Sequence, residues 1–310
     1  MDLFYRYIIE FKFKLKKNFN SELFKCIVNL IEPKFIYFCN EELSRPDIFS
    51  FDIYINIVDN HIILYFSHLF YDAHSIFYIL NLLDEIYKNL LTVITNVNMN
   101  NNILDSEIFI KNLEIFKNIY NQLKNIKLDF NFFDLIFNLF TNNDILTINN
   151  FVFNNFDVFK YLCFPKIFNL NKPKILYVKK NKLLLNNKIS IILLFEYLKK
   201  KLKFKKYNIF INARKIYKCE NNKIKNFIYI SKTINDSKEI KNILISDSNK
   251  KYKDLKYQIN SEQVLINSYL SFNLPSFTKK YICDSKLLLN NIYIFPTSHK
   301  DRYVKVLYRI

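Results

Sequence analysis

The 310-residue chain contains no glycine. Every backbone position that needs a positive φ must therefore be filled by a residue carrying a Cβ, at a steric cost that glycine avoids. Asparagine tolerates the left-handed region best among the other residues, so Asn is expected at the tight turns. The same absence removes the glycine-rich phosphate cradles: neither a P-loop nor a dinucleotide fingerprint of the usual kind can be written without Gly. Tryptophan is also missing, while Asn, Lys, Ile, Phe and Tyr are abundant. All five have A/T-rich codons and Gly does not, which reads as the imprint of an AT-biased genome. Half of the residues are hydrophobic (50%), enough for a sizeable core in one large or two modest domains.

That bias also discounts the net charge of +18, because lysine supplies nearly all of the basic residues and arginine is scarce. The densest basic run, "YLKKKLKFKKYN" at residues 197–208, reads as the solvated end of a helix rather than as a nucleic-acid stripe, and no nucleic-acid partner is expected. Cys26, Cys39, Cys163, Cys219 and Cys283 form no C-x-x-C pair, and with the four histidines they match no zinc spacing. The expectation is no metal, and reduced core thiols in a cytoplasmic compartment. The opening "MDLFYRYIIEFKFKLKK" alternates, with Glu10 and Lys12 inside, and so reads as a strand rather than a signal peptide. No segment is long and apolar enough to cross a membrane. A monomer away from the membrane is expected.

Periodicity places the elements. "YIIEFKFKL" alternates as a strand, and "NSELFKCIVNLIE" has a helical period behind an Asn-Ser start. "FDIYINIV" and "HIILYFS" flank Asp59-Asn60 as a hairpin, with Asn where Gly is usual. From Ser75 onward, Ile76, Phe77, Ile79, Leu80, Leu83, Ile86, Tyr87 and Leu90 recur at helical spacing. "NVNMNNN" at residues 96–102 reads as a polar loop, followed by helical patterns around 104–124 and 129–141. "KPKILYVKK" is expected as a strand, "NNKISIILLFEYLKKKLK" as a long helix, and "YNIFINAR" as a buried strand ending at Arg214. "KIKNFIYISKTI", "SEQVLINSYLSFNL" and the closing "NIYIF" and "RYVKVLYRI" read as further strands. The plan is α/β with mostly non-local sheets, in two lobes covering residues 1–172 and 173–310.

Several chemistries have no support: the chain has no H-E-x-x-H, no aspartate-rich metal loop, no carboxylate pair at acid–base spacing, and no small residues around a serine elbow. What stands out is "SHLFYDAHS", residues 67–75, at the junction of a buried strand and an amphipathic helix. Two readings are open there. His68 at a strand end can face a cleft as a general base, with Asp72 fixing the local backbone through a salt bridge. Alternatively His68 is an ordinary hydrogen-bonded strand-end residue and Asp72 a helix N-cap, which spacing alone favours.

"ILYFSHLFYDAHSIFYILNLLDEIY" resembles the core of the condensation-domain acyltransferases, the HxxxD superfamily of nonribosomal peptide condensation domains, polyketide-associated acyltransferases and chloramphenicol acetyltransferase. Their signature is a buried strand, H-H-x-x-x-D-G-x-S and an amphipathic helix; His68, Asp72 and Ser75 match it, while Ser67 stands for the first His and Ala73 for the Gly. Weaker echoes follow in order: the first strand and helix, "NNKISIILLFEYLKKKLKFKKYNIFINAR" ending at Arg214, "NKIKNFIYIS" with Lys225 in place of Gly, and "VLINSYLSFN" with Asn267. The dihydrolipoyl acyltransferase core shares the H-x-x-x-D logic but carries it near its C-terminus, whereas His68 lies in the first quarter of this chain.

The resemblance implies a shortened, two-lobe chloramphenicol acetyltransferase-like pseudodimer with a central channel. It implies transfer of an acyl group from a phosphopantetheine or coenzyme A thioester to an amine or alcohol, in the manner of peptide and polyketide secondary metabolism. His68 would be the catalytic base, Asp72 structural with Arg214 its partner, Ser67, Ala73 and Ser75 the motif neighbours, and Asn267 a channel residue. No tightly bound cofactor is implied. The partners would be an acyl or peptidyl carrier protein, or acyl-coenzyme A, for which a basic surface suits docking. The alternative is a catalytically degenerate module that keeps the fold and binds a carrier or partner.

Overall fold

The computed structural model describes residues 8–31, 36–39, 52–67, 71–99, 114–115, 117–119, 121–122, 127–128, 174–186, 188–212, 214, 223–224, 228–249, 264–282, 291–297 and 301–309. His68 therefore lies outside the described residues, as do the expected helix at 129–141, Lys225 and Cys163, Cys219 and Cys283.

Strand β1 (Ile8–Leu15) shows how the pattern becomes packing. Phe11, Phe13 and Leu15 are buried, while Lys14 between them is exposed and Glu10 and Lys12 are partly so, the period-2 alternation of a sheet with one buried face. Helix α1 (Ser21–Ile31) follows, with Asn20 as its cap: the Asn20 side-chain oxygen accepts from the Leu23 amide at 2.9 Å. After the short β2 (Ile36–Phe38), β3 (Ile53–Val58) and β4 (His61–Ser67) form the hairpin read from the sequence. Its turn residues both take positive φ, Asp59 at 47° and Asn60 at 59°. A two-residue turn of that hand matches the twist of the strands, and Asx residues fill it without glycine.

Helix α2 (Ala73–Met99) then covers the sheet, burying Ile76, Phe77, Ile79, Leu80, Leu83, Ile86 and Tyr87. It runs further than periodicity suggested: residues 96–99, read as loop, are helical. The Thr92 and Thr95 hydroxyls bond back to the Lys88 and Leu91 carbonyls. Adding a residue to an existing helix costs far less than starting one, so the polar tail continues it.

The second half supplies β6 (Lys174–Lys179), helix α3 (Ile191–Leu202), β9 (Tyr207–Asn212), β11 (Ile228–Ile230), helix α4 (Glu239–Ser248), β12 (Val264–Ser268), β13 (Thr278–Ile282), β14 (Asn291–Ile294) and β15 (Tyr303–Arg309). Between β6 and α3 lie β7 (Leu184–Leu185) and β8 (Lys188–Ile189), so the long helix begins at residue 191, capped by Ser190. The remaining short strands are β5 (Lys127–Leu128) and β10 (Lys223–Ile224), a parallel pair. The basic run 197–208 spans the end of α3 and the turn into β9: Lys200, Lys201, Lys203, Lys205 and Lys206 are exposed, while Leu198, Phe204 and Tyr207 are buried with Leu194 and Phe195.

The fold is mixed α/β with two large sheets. The first has the order β13-β1-β4-β3-β2; the second has the order β11-β9-β12-β14-β15-β6. β13 comes from the second half of the chain and pairs antiparallel with β1, Tyr281 opposite Phe13. Its lead-in is anchored on α2: Asp84 accepts from the Ser276 amide at 2.7 Å and from its hydroxyl at 2.6 Å. Phe277, Tyr281 and Phe295 thereby complete the first core, around Phe11, Phe13 and Phe24. Each such buried aromatic or aliphatic side chain contributes on the order of 1.5–3 kcal/mol. One expectation about thiols is corrected: Cys26 is exposed and Cys39 half-buried, so neither is a core thiol. Cys26 falls on the outward face of the amphipathic α1, next to the buried Ile27 and Val28.

Candidate functional site

Strand β4 and helix α2 meet at residues 67–75. Ser67, the last residue of β4, is buried, and its carbonyl accepts from the Tyr71 amide at 3.1 Å, so the two residues flanking positions 68–70 are held together. Asp72 then caps α2. Its Oδ1 accepts from the Ser75 amide and from the Ser75 hydroxyl, both at 2.8 Å. This satisfies one of the orphan amides of the first helical turn. The other carboxylate oxygen, Oδ2, takes the Nη1 of Arg214, 142 positions away in sequence, while Nη2 of the same guanidinium donates to Ser75 Oγ at 2.9 Å. The N-cap and salt-bridge readings of Asp72 describe the same carboxylate.

This cluster is dry. Asp72 and Ser75 are 0% exposed and Arg214 is 3% exposed. Burial alone pushes the Asp72 carboxyl up, but the Arg214 charge and the Ser75 amide, with a smaller contribution from His74, outweigh it and hold Asp72 below the usual carboxylate range. Asp72 is therefore an ion committed to structure. A carboxylate with its lone pairs on an arginine, an amide and a hydroxyl has little capacity left to move a proton. Arg214 sits two residues beyond β9, its own amide bonded to Asn212 Oδ1 at 3.0 Å, so the ion pair ties the second sheet to the start of α2.

Beside the ion pair opens a cleft of about 780 Å³. Its walls are the first turns of α2 (Asp72, Ala73, His74, Phe77, Tyr78), the start of α3, strand β9, one face of α4, strand β12 and the turn 269–273. Ala73 lines it, so the position where the resembled signature has glycine presents a methyl group to the cleft. Asn267 lines it too, its Nδ2 donating to the Tyr269 hydroxyl at 3.1 Å. His74 is half-buried, 6.2 Å from the Phe272 ring, and belongs to this wall rather than to the helix-start surface. Phe77 and Phe272 stack at 4.8 Å and 6°.

Of the expected site residues, then, Ser67, Asp72, Ala73, Ser75 and Arg214 gather at one junction, Asn267 lies along the adjoining cleft, and His68 is outside the described residues. Sequence reasoning missed the α4 wall and Phe272. "EIKNILISDS" carries its apolar residues at Ile240, Ile243 and Leu244, a helical spacing that was readable; Phe272 carried no local signal.

No family model matches the sequence, and no curated protein matches it. Among solved structures, F. graminearum TRI101 complexed with coenzyme A and deoxynivalenol is similar at TM-score 0.48 and 9% identity, over 99% of this chain and 92% of that one. Vinorine synthase is similar at TM-score 0.44 and 10% identity, over 97% of this chain and 86% of that one. The first condensation domain of the calcium-dependent antibiotic synthetase, in complex with a substrate analogue, is similar at TM-score 0.49 and 8% identity, over 98% of this chain and 85% of that one.

Proposed function

We propose that the protein is an acyltransferase that moves an acyl group from a coenzyme A or phosphopantetheine thioester to an amine or alcohol, with His68 as general base. The observation that carries this reading is the buried Asp72–Arg214–Ser75 cluster at the head of α2, on the wall of a 780 Å³ cleft. A guanidinium buried on a capped aspartate is a costly way to start a helix, and stability alone does not favour it, since apolar packing in its place is often as good. It does fix the geometry of the junction that the strand-end motif occupies. Asp72 and Arg214 act here as positioning residues, and residues 1–172 and 173–310, with β13 crossing to the first sheet, make up the two lobes of this reading.

In the proposed step His68 takes the proton of the acceptor hydroxyl or amine as its oxygen or nitrogen attacks the thioester carbonyl. The C–S bond breaks as the new C–O or C–N bond stays, and the proton passes to the departing thiolate. Direct proton transfer by a positioned base contributes roughly 10²–10⁴ in rate, and alignment of the two substrates supplies much of the rest. The carrier would be a small acidic protein or coenzyme A itself, in the cytoplasm. The test is thiol release from a panel of acyl-coenzyme A and acyl-pantetheine donors mixed with amine and alcohol acceptors. Acceptor-dependent release supports transfer. Saturable binding of a donor with no release from any pair contradicts transfer and favours a degenerate binding module.

A further inference from the structure

The cleft walls carry information about what enters. Its lining includes the half-buried aromatics Tyr78, Phe210, Tyr269 and Phe272, together with Leu244 and the exposed Ile245 of α4. Tyr269 and Phe272 are rigidly set: the Tyr269 amide bonds to the Ile294 carbonyl at 2.8 Å, the Phe272 amide to the Tyr269 carbonyl at 3.1 Å, and Tyr269 stacks on Tyr293 at 11°. Among the described lining residues Asp72 is the one carboxylate, and it is engaged by Arg214 and Ser75; Lys241 is the one lysine. A cationic ligand would find no carboxylate uncommitted there, and would lose its hydration against aromatic and aliphatic walls. A flat apolar body would gain contacts with the aromatic rings and with the aliphatic side chains of α4.

We propose that the cleft between α2, α4 and the turn 269–273 is a subsite for an uncharged aromatic or fused-ring group, lying between Phe272 and the Leu244–Ile245 wall. That this group belongs to a substrate of acyl transfer rests on the function proposed above; the ligand class rests on the cleft itself. Among the described residues the wall discriminates by charge and flatness, with polar Asn81, Ser248 and Asn273 around it.

The probe is the neutral dye N-phenyl-1-naphthylamine, whose fluorescence rises in apolar surroundings. Saturable binding to the wild-type protein is expected, weakened at least tenfold by Ile245→Lys, which is 55% exposed and so tolerant of substitution, and by Phe272→Ala. Leu185→Lys, at a 62% exposed position away from the cleft, should bind as wild type. Naphthalene-2-methanol or benzoyl-coenzyme A should displace the dye at a tenth of the concentration that ethanolamine or acetyl-coenzyme A needs, and which of the two does so assigns the group to acceptor or donor. Equal dye affinity in wild type and Ile245→Lys, or equal displacement by ethanolamine, overturns the proposal. The readout needs no turnover: normal dye binding without thiol release faults the acyl-transfer reading alone, and thiol release with unselective dye binding faults this one alone.

Discussion

Asp72 and Arg214 form the buried ion pair at the head of α2. Removing one partner of a buried ion pair strands the other, so Arg214→Ala should lower stability by about 3–5 kcal/mol, read as a shift in denaturant midpoint. Adding Asp72→Asn to Arg214→Ala should recover part of that loss, because no buried charge is then left alone. The pair also has a pH signature. The carboxyl of Asp72 is held below its ordinary value in the folded chain, so its contribution is present above about pH 3.8 and is lost as pH falls through the folded value. Wild type should thus exceed Asp72→Asn in stability at pH 7 and pH 5, with the gap closing below pH 3.8. A gap that stayed constant to pH 3 would mean that folding does not lower the Asp72 carboxyl, and a gap that grew as pH fell would mean that Asp72 is neutral in the fold. At this scale the sequence marks His68 and Asp72 as polar residues between two apolar runs, but spacing alone favours a strand-end histidine and a helix cap, and Ser75 enters through the resemblance. Arg214 came only through the resemblance, since nothing local says that a residue 142 positions away shares a carboxylate with Ser75.

The elements show how a chain without glycine closes its turns. Positive φ occurs at Asp59, Asn60, Asn186 and Lys203. The first three are Asx residues, as expected from their tolerance of this region. Lys203 is different: it ends α3 in the left-handed conformation, φ 58° and ψ 32°, where glycine is the usual terminator. Lys203→Gly should therefore stabilise the protein by about 1 kcal/mol, measured by thermal melting; no change would mean that the lysine side chain compensates at that end. Asp84 is the counterpart for the strand that comes from far along the chain. Asp84→Ala frees both Ser276 donors and should cost about 2 kcal/mol. It should also speed hydrogen exchange of the β13 amides ahead of those in β3 and β4. Exchange speeded equally in all three strands would show that β13 does not depend on this anchor. The identities of β1, the β3–β4 hairpin, α2 and α3 were legible from period and turn residues, from Phe11-Lys12-Phe13 through Leu194-Phe195-Leu198, whereas α4 was not read. The extension of α2 through residue 99 was not, because cooperativity rather than residue preference decides it.

For the whole molecule, the topology is where one-dimensional reading ran out. Phe13 faces Tyr281 across a β ladder, and no periodicity within either segment encodes that pairing. The same holds for the cleft, assembled from segments between Asp72 and Asn273. What the sequence did carry was a motif whose neighbours form a buried, ion-paired junction on a cavity wall. Under the proposed function this junction holds His68 for chemistry. The most direct test is a steady-state comparison of wild type and His68→Ala, in thiol release from an acyl-coenzyme A with its best acceptor, with thermal melting run alongside. The prediction is a fall in kcat/KM of at least about 10²-fold with the melting temperature unchanged. Equal rates in the two proteins would contradict the claim.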